Sequence, residues 1–219
     1  MLQAEREALA ATCRRLAREG LVLGTAGNVS VRSEEDRVAI TPTGGVLAEL
    51  EPGNTTVVDL EGRVVEGRLK PTSELDLHLG VYREIGAGAV VHTHAPYATA
   101  LSCVIDELPV VHYQMLMFGG PVRVAPYATF GSPELARSVL AALDGRCAAL
   151  MQNHGSVVFG PDLKTASELA LLLEWACGVY WHARAIGEPR VLGDEELAGV
   201  LEAAVERRYG TTQETEAEA

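Results

Sequence analysis

Short runs of β-branched residues, separated by glycine, proline, asparagine and aspartate, are the feature of this 219-residue chain that most limits its fold. Such runs are typical of strands bounded by turns, and the LEGR stretch inside one of them predicts a hairpin. Because hairpins join antiparallel neighbours, we expect a sheet whose early strands are antiparallel. The predicted strands are NVSVR (28–32), RVAITPTGG (37–45), TTVVDLEGRVVEG (55–67), AVVHTH (89–94), CAALMQ (147–152) and SVVFG (156–160).

Apolar residues at helical spacing predict helices before, between and after these strands. Ser132 and Pro133 have the residue types of an N-cap and a first turn, and Gly20, Gly86 and Gly145 are C-terminal stop signals. The alternation of strands and helices predicts one α/β domain over residues 1–210, followed by a flexible acidic tail at 211–219. The predicted helices cover residues 3–19, 73–86, 132–145, 162–186 and 194–208.

The charge balance excludes several classes of partner. The chain has 18 Lys and Arg against 30 Asp and Glu, a formal net charge of −12. A chain this acidic is not expected to bind nucleic acid or anionic membranes, so a small anion would need local hydrogen-bond donors. Its four scattered cysteines form no disulfide framework, its charged N-terminus is unlike a signal peptide, and no apolar run is long enough for a membrane span. We therefore predict a cytoplasmic location.

Two histidines close the fourth apolar run, in VVHTHAPYATA. In a strand, positions i and i+2 point to the same face, so His92 and His94 project together and Thr93 points away. A metal ion needs at least a third ligand, and His154 is the best candidate because it lies where an apolar strand breaks, in MQNHGSVVFG. The pair also fits ordinary histidines bonded to backbone or water. The other three, His78, His112 and His182, are not paired at a ligand spacing.

A carboxylate and three turns complete the candidate chemistry. Glu74 begins a predicted helix in KPTSELDLH, where it either serves a reaction or complements the helix dipole. The turns GTAGNVS, TPTGG and KPTSE each offer backbone N–H groups and hydroxyls to an oxyanion, although none has the spacing of a P-loop or a dinucleotide fingerprint.

Taken in order, TAGNVSVR, TPTGG, KPTSELDLH, HTHAPYATA, VVHY and NHG resemble the class II aldolase/adducin head family, and within it the L-fuculose-1-phosphate aldolase branch. The resemblance covers residues 5–210. It implies a single-domain class II aldolase-like fold with a central, mostly antiparallel sheet between helices in three α/β/α layers.

The resemblance also implies roles for individual residues. His92, His94 and His154 would bind a catalytic Zn²⁺, or another divalent transition metal, and Glu74 would be the acid/base. Tyr113 would reach a neighbouring subunit's site and protonate the aldehyde oxygen, and Tyr209 would close the pocket from the same neighbour. These two roles imply a homotetramer with active sites at subunit interfaces. The residues implied for the substrate phosphate are Gly27, Asn28, Thr43, Gly44, Thr72 and Ser73.

The implied activity is a metal-dependent class II aldolase that cleaves a ketose 1-phosphate to dihydroxyacetone phosphate and an aldehyde through an enediolate. A divalent ion stabilises that charge as a Lewis acid, and no lysine Schiff base is needed. The sequence departs from the pattern at Ala26, Thr43 and Thr72, where relatives often have serine. Two enzymatic alternatives of the same fold are a ribulose-phosphate 4-epimerase and a methylthioribulose-1-phosphate dehydratase. A more distant alternative is a non-catalytic adducin-like interaction module, whose relatives lack the histidines.

Overall fold

A computed structural model of the chain describes residues 1–212. Within this range nine strands form one sheet, in the order β4-β3-β2-β1-β5-β9-β8-β7-β6. All neighbouring pairs in it are antiparallel except β7 and β8, which are parallel. The strands are β1 Asn28–Arg32, β2 Arg37–Ile40, β3 Thr56–Asp59, β4 Val64–Glu66, β5 Ala89–Thr93, β6 Glu107–Leu108, β7 Val122–Ala125, β8 Ala148–Met151 and β9 Gly155–Gly160.

Helices cover both faces of the sheet. Strand side chains alternate between two apolar clusters: Ala89 and Val91 pack with α1, α3 and α5, whereas Val90 packs with α2 and α4 on the opposite face. This alternation follows from the period of two along a strand, and it produces the predicted three α/β/α layers. The helices are α1 Gln3–Arg18, α2 Leu75–Glu84, α3 Pro96–Ser102, α4 Pro133–Ala142, α5 Leu163–Ile186 and α6 Asp194–Glu206, with 3-10 helices at Leu47–Glu49, Pro52–Asn54 and Tyr113–Phe118.

The predicted elements are all present, and the helix ends differ from expectation by at most three residues. Ser132 is the N-cap of α4, where its hydroxyl accepts a hydrogen bond from the Leu135 N–H. The sequence prediction missed α3, β6 and β7. α3 and β6 have only seven and two residues, too few to show a pattern. β7 has four residues and is bordered by Pro121 and Pro126, which weaken a strand prediction.

Two further expectations concern the cysteines and the tail. All four cysteines of the chain are free; Cys13 and Cys177 are buried, and Cys103 is exposed. Residues 213–219 lie outside the described range, so the predicted tail at 211–219 stays a prediction. Among the described residues, no helix is long and apolar enough to cross a membrane.

Candidate functional site

The pairing of two central strands brings three histidines together. β5 and β9 are antiparallel neighbours with Thr93 opposite Ser156, so the end of β5 lies beside the start of β9. His94 follows β5 directly and His154 precedes β9 directly, while His92 is the penultimate residue of β5. Their ring centroids are 4.8 to 4.9 Å apart. The three candidate ligands therefore form one cluster, in which the possible ligand atoms all lie within 4.8 Å of one another.

The donor set of this cluster suits a metal cation. His92 Nδ1 lies 2.8 Å from the Ser156 carbonyl oxygen and donates to it, which leaves the Nε2 lone pair directed into the cluster. The Nε2 atoms of His92 and His94 are 3.0 Å apart. Two neutral imidazoles facing each other this closely through their lone pairs repel unless a proton or a cation lies beside both. The residues present thus fit a divalent ion with three nitrogen ligands.

A glycine makes this close approach possible. A Cβ atom placed on Gly155 would lie 2.3 Å from the Thr93 carbonyl oxygen and 3.2 Å from the His94 ring. The first contact is shorter than a Cβ atom tolerates and the second is tight, so the glycine that breaks the apolar strand before β9 is a packing requirement of the cluster.

Glu74 completes the cluster from the start of α2, which packs on the face of the sheet to which Val90 and His92 point. It is the N-cap residue of α2, but its side chain makes no capping hydrogen bond. Instead Oε2 lies 3.1 Å from His92 Nε2 and Oε1 lies 3.6 Å from His154 Nε2. Oε2 also accepts a hydrogen bond from Asn28 Nδ2 at 2.9 Å. The carboxylate therefore faces the histidines rather than the amides of its own helix.

The local electrostatics favour an ionised Glu74 beside two neutral rings, those of His94 and His154. Burial by itself raises the pKa of Glu74, but the charge of His92, with hydrogen bonds from His92 and Asn28, outweighs it and lowers the pKa below the ordinary value. Burial lowers the pKa of His94 to about 4, helped by His92 and His154, and the pKa of His154 is lowered by burial and then by His92. For His92, burial acts to lower the pKa and the charge of Glu74 raises it above the ordinary value. His94 and His154 are thus in the neutral form that metal ligation requires.

A cleft of about 400 Å³ opens next to the cluster, and it contains all six residues implied for phosphate binding. Two of its turns are tied together: the Thr43 N–H donates to the Lys70 carbonyl, and the Thr72 N–H donates to the Thr41 carbonyl. Glu74, His94 and His154 also line this cleft. Its lining is Thr25, Ala26, Gly27, Asn28, Pro42, Thr43, Gly44, Thr72, Ser73, Glu74, His94, Tyr127, Ala128, Phe130, Asn153 and His154.

Some of these residues have protein partners that the sequence did not indicate. Asn28 donates one amide hydrogen to Glu74 and its Oδ1 lies 2.5 Å from His78 Nε2, so one amide hydrogen remains for a ligand. The Thr72 hydroxyl accepts from the Glu74 N–H at 3.3 Å. Tyr127 and Phe130, both largely exposed, line the cleft and were not predicted, because they lie in a loop between β7 and α4 without a motif.

Tyr113 and Tyr209 lie apart from the cleft of their own chain. Their hydroxyl oxygens are 2.9 Å apart, and together they line a separate depression beside α6. Both side chains are exposed, by 38% and 59%. Neither tyrosine is among the residues that line the histidine cleft of its own chain. His78, His112 and His182 also lie outside the metal cluster.

The chain is similar to known proteins over most of its length. Residues 7–181 match the model of the Class II Aldolase and Adducin N-terminal domain family. A 5-deoxy-D-ribulose 1-phosphate aldolase from Bacillus thuringiensis serovar kurstaki is 40% identical, over 90% of this chain and 93% of that protein. A 5-methylthioribulose-1-phosphate/5-deoxyribulose-1-phosphate aldolase from Rhodospirillum rubrum is 42% identical, over 90% and 89%. A solved L-fuculose 1-phosphate aldolase superimposes with a TM-score of 0.89 at 36% identity, covering 93% of this chain and 97% of that one.

The His94→Ala variant tests the metal cluster. Removal of one of three nitrogen ligands should lower the zinc retained after dialysis to well below one equivalent, while the unfolding temperature stays close to that of the unaltered protein. The matched control is His182→Ala, which removes an exposed histidine on α5 that lies outside the cluster and contacts Tyr97 and Trp181. Full zinc content in His94→Ala would show that the cluster is not the metal site.

Proposed function

We propose, since the chain belongs to the class II aldolase and adducin N-terminal domain family, that it is a zinc-dependent aldolase acting on a ketose 1-phosphate. The reaction would reversibly give dihydroxyacetone phosphate and an aldehyde. One observation carries the proposal: a buried carboxylate, Glu74, and three histidine nitrogens converge beside a cleft lined by turns that suit a phosphate.

The phosphate would lie against the three turns. Thr72 and Ser73 immediately precede α2, a ten-residue helix whose first N–H groups favour an anion. Gly27 and Gly44 have φ values of +87° and +68°, a left-handed conformation in which a turn can present its backbone N–H groups. These local donors let a chain with a net charge of −12 bind a dianion.

The three histidines would hold the ion. When bound there, Zn²⁺ supplies Lewis-acid stabilisation of the negative charge that develops on the carbonyl and hydroxyl oxygens of the substrate. His92 is fixed for this purpose by its hydrogen bond to the Ser156 carbonyl, which sets both the tautomer and the direction of the ring.

Glu74 would be the acid/base. Its low pKa keeps it ionised at neutral pH, and Oε1 is buried without a hydrogen-bond donor in the described structure. A carboxylate oxygen in this state can accept the proton that leaves the hydroxymethyl carbon of dihydroxyacetone phosphate, and return it in the reverse direction. The remaining charge is delocalised as the enediolate, which then adds to the aldehyde.

The aldehyde end of the substrate would lie toward the aromatic side of the cleft. Tyr127 and Phe130 add large, exposed aromatic side chains to the lining of the cleft. The similar proteins are named for 5-deoxyribulose 1-phosphate and L-fuculose 1-phosphate, both of which end in a methyl group. We therefore propose a ketose 1-phosphate with an apolar terminus as the substrate.

Tyr113 and Tyr209 would act between subunits of a homotetramer. Their exposed pair lies away from the cleft of their own chain, and the neighbouring surface of α5 and α6 also exposes large apolar side chains. In an assembly, the Tyr113 hydroxyl of one subunit would protonate the aldehyde oxygen in the site of another, and Tyr209 would close that site.

Replacement of the carboxylate tests the acid/base assignment. With zinc at saturation, Glu74→Gln should lower kcat for cleavage of L-fuculose 1-phosphate or 5-deoxyribulose 1-phosphate by about 100-fold or more, because an amide cannot take the proton. The control is Asp76→Asn, an exposed acid in the first turn of the same helix, which should leave kcat unchanged. Equal rates for both variants would refute the role of Glu74.

Mixed oligomers test the contribution of Tyr113. Tyr113→Phe alone should lower kcat by about 100-fold, as expected for loss of a proton donor, without a comparable change in phosphate binding. Co-expressed with His94→Ala, it should give oligomers in which some sites combine an intact His94 from one subunit with an intact Tyr113 from another. Activity far above that of either variant is the expected result. Mixed oligomers, verified by mass spectrometry, that stay inactive would show that each site takes both residues from the same subunit.

A further inference from the structure

A line of buried polar side chains leads away from the candidate site into the core. On α2, Glu74, His78 and Tyr82 are four residues apart, and on β1, Asn28 and Ser30 are two residues apart. Four residues of helix rise about 6 Å and two residues of strand about 6.6 Å, so the two rows interleave. All five residues are at most 5% exposed.

Hydrogen bonds connect every member of this row. Tyr82 Oη lies 2.5 Å from Ser30 Oγ, Ser30 Oγ lies 2.6 Å from His78 Nδ1, and His78 Nε2 lies 2.5 Å from Asn28 Oδ1. The last link is Asn28 Nδ2 to Glu74 Oε2 at 2.9 Å. We call these five residues the buried relay.

The direction of the whole relay follows from its last member. A carboxylate only accepts hydrogen bonds, so the Asn28 atom that faces Glu74 must be the amide nitrogen, and Oδ1 must face His78. His78 Nε2 therefore carries a hydrogen and donates it.

The other ring nitrogen is fixed in turn. His78 is fully buried among neutral partners, so the ring is uncharged and Nδ1 has no hydrogen. Nδ1 must accept from the Ser30 hydroxyl, and Ser30 must accept from the Tyr82 hydroxyl. Each link donates toward Glu74.

Stability alone does not account for this arrangement. Polar groups buried in a core lose their hydrogen bonds to water, so even a fully bonded row contributes little net stability compared with apolar side chains of the same shape. What the relay does provide is a difference between the two oxygens of Glu74: Oε2 is held by Asn28, whereas Oε1 has no donor among the described residues.

We propose that His78 is a positioning residue, which orients the Asn28 amide so that it holds one oxygen of Glu74 and leaves the other free to take the proton from the substrate. This inference rests on the proposed function, because the proton transfer belongs to the aldolase reaction. Ser30 and Tyr82 extend the relay by fixing the tautomer of His78.

Two nearly isosteric variants separate positioning from packing. In His78→Gln, the amide nitrogen extends to about the place of Nε2 and can still donate to Asn28. In His78→Asn, the amide is too short to reach Asn28 and can replace only the contact of Nδ1 with Ser30. The rate to measure is deuterium exchange from D2O into dihydroxyacetone phosphate with saturating zinc. Zinc content, unfolding temperature and affinity for dihydroxyacetone phosphate are measured in parallel.

The positioning role predicts different rates for the two variants. His78→Asn should exchange about 10- to 100-fold more slowly than the unaltered protein, and His78→Gln within a few-fold of it, with equal zinc content and unfolding temperature. Equal exchange rates in the two variants, or a loss of exchange that parallels loss of zinc or of folding, would overturn the inference while leaving the proposed function intact. No exchange by the zinc-loaded unaltered protein would overturn the proposed function, and the positioning role with it.

A second readout is independent of activity. The ¹⁵N chemical shifts of His78 in the zinc-free protein should show a neutral ring with hydrogen on Nε2. A ring with hydrogen on Nδ1 would reverse the relay and overturn the inference.

Discussion

The register between three central strands determines where everything else in the site lies. β5 is hydrogen-bonded to β1 on one side, with His92 opposite Asn28, and to β9 on the other, with Thr93 opposite Ser156. A shift of one residue in either pairing would turn the histidines to the other face of the sheet. The fully buried valines of these strands, packed against helices on both faces, oppose such a shift, so the core of the protein also fixes the cluster.

The buried carboxylate is the second element of the account. Burial alone would raise the pKa of Glu74 and favour its neutral form. The His92 ring and the Asn28 amide, both beside Oε2, lower the pKa instead. The same arrangement leaves Oε1 without a donor from residues 1–212, at the edge of a cleft whose turns suit a phosphate. Hydrogen-bond donors at the site, rather than the net charge of the chain, would thus stabilise both the carboxylate and an anionic substrate.

Much of the fold and of the candidate site was predictable from the sequence, and there is a physical reason why the rest was not. The period of two along a strand is enough to place His92 and His94 together. His154 joins them because β9 is the neighbour of β5, and the order of strands in the sheet cannot be read from residue spacing. The three-layer fold and most elements were predicted, but α3 is too short to show a helical pattern and β7 lies between two prolines. The spacing of Glu74, His78 and Tyr82 was visible in the sequence. The role of this spacing becomes clear only from the contact of α2 with β1, because the bonded residues are 46 to 52 positions apart in the sequence.

In the proposed mechanism, the metal held by the histidines and the carboxylate beside it act on the same substrate carbon atom. The most direct test is NMR of dihydroxyacetone phosphate in D2O with zinc-loaded protein, with chelator-treated protein and after zinc is restored. We expect one of the two hydrogens at the hydroxymethyl carbon to exchange. This exchange should be lost when zinc is chelated and recovered when zinc is restored. Protein that binds zinc at the three histidines yet exchanges neither hydrogen would contradict it, and would favour an epimerase or a dehydratase of the same fold.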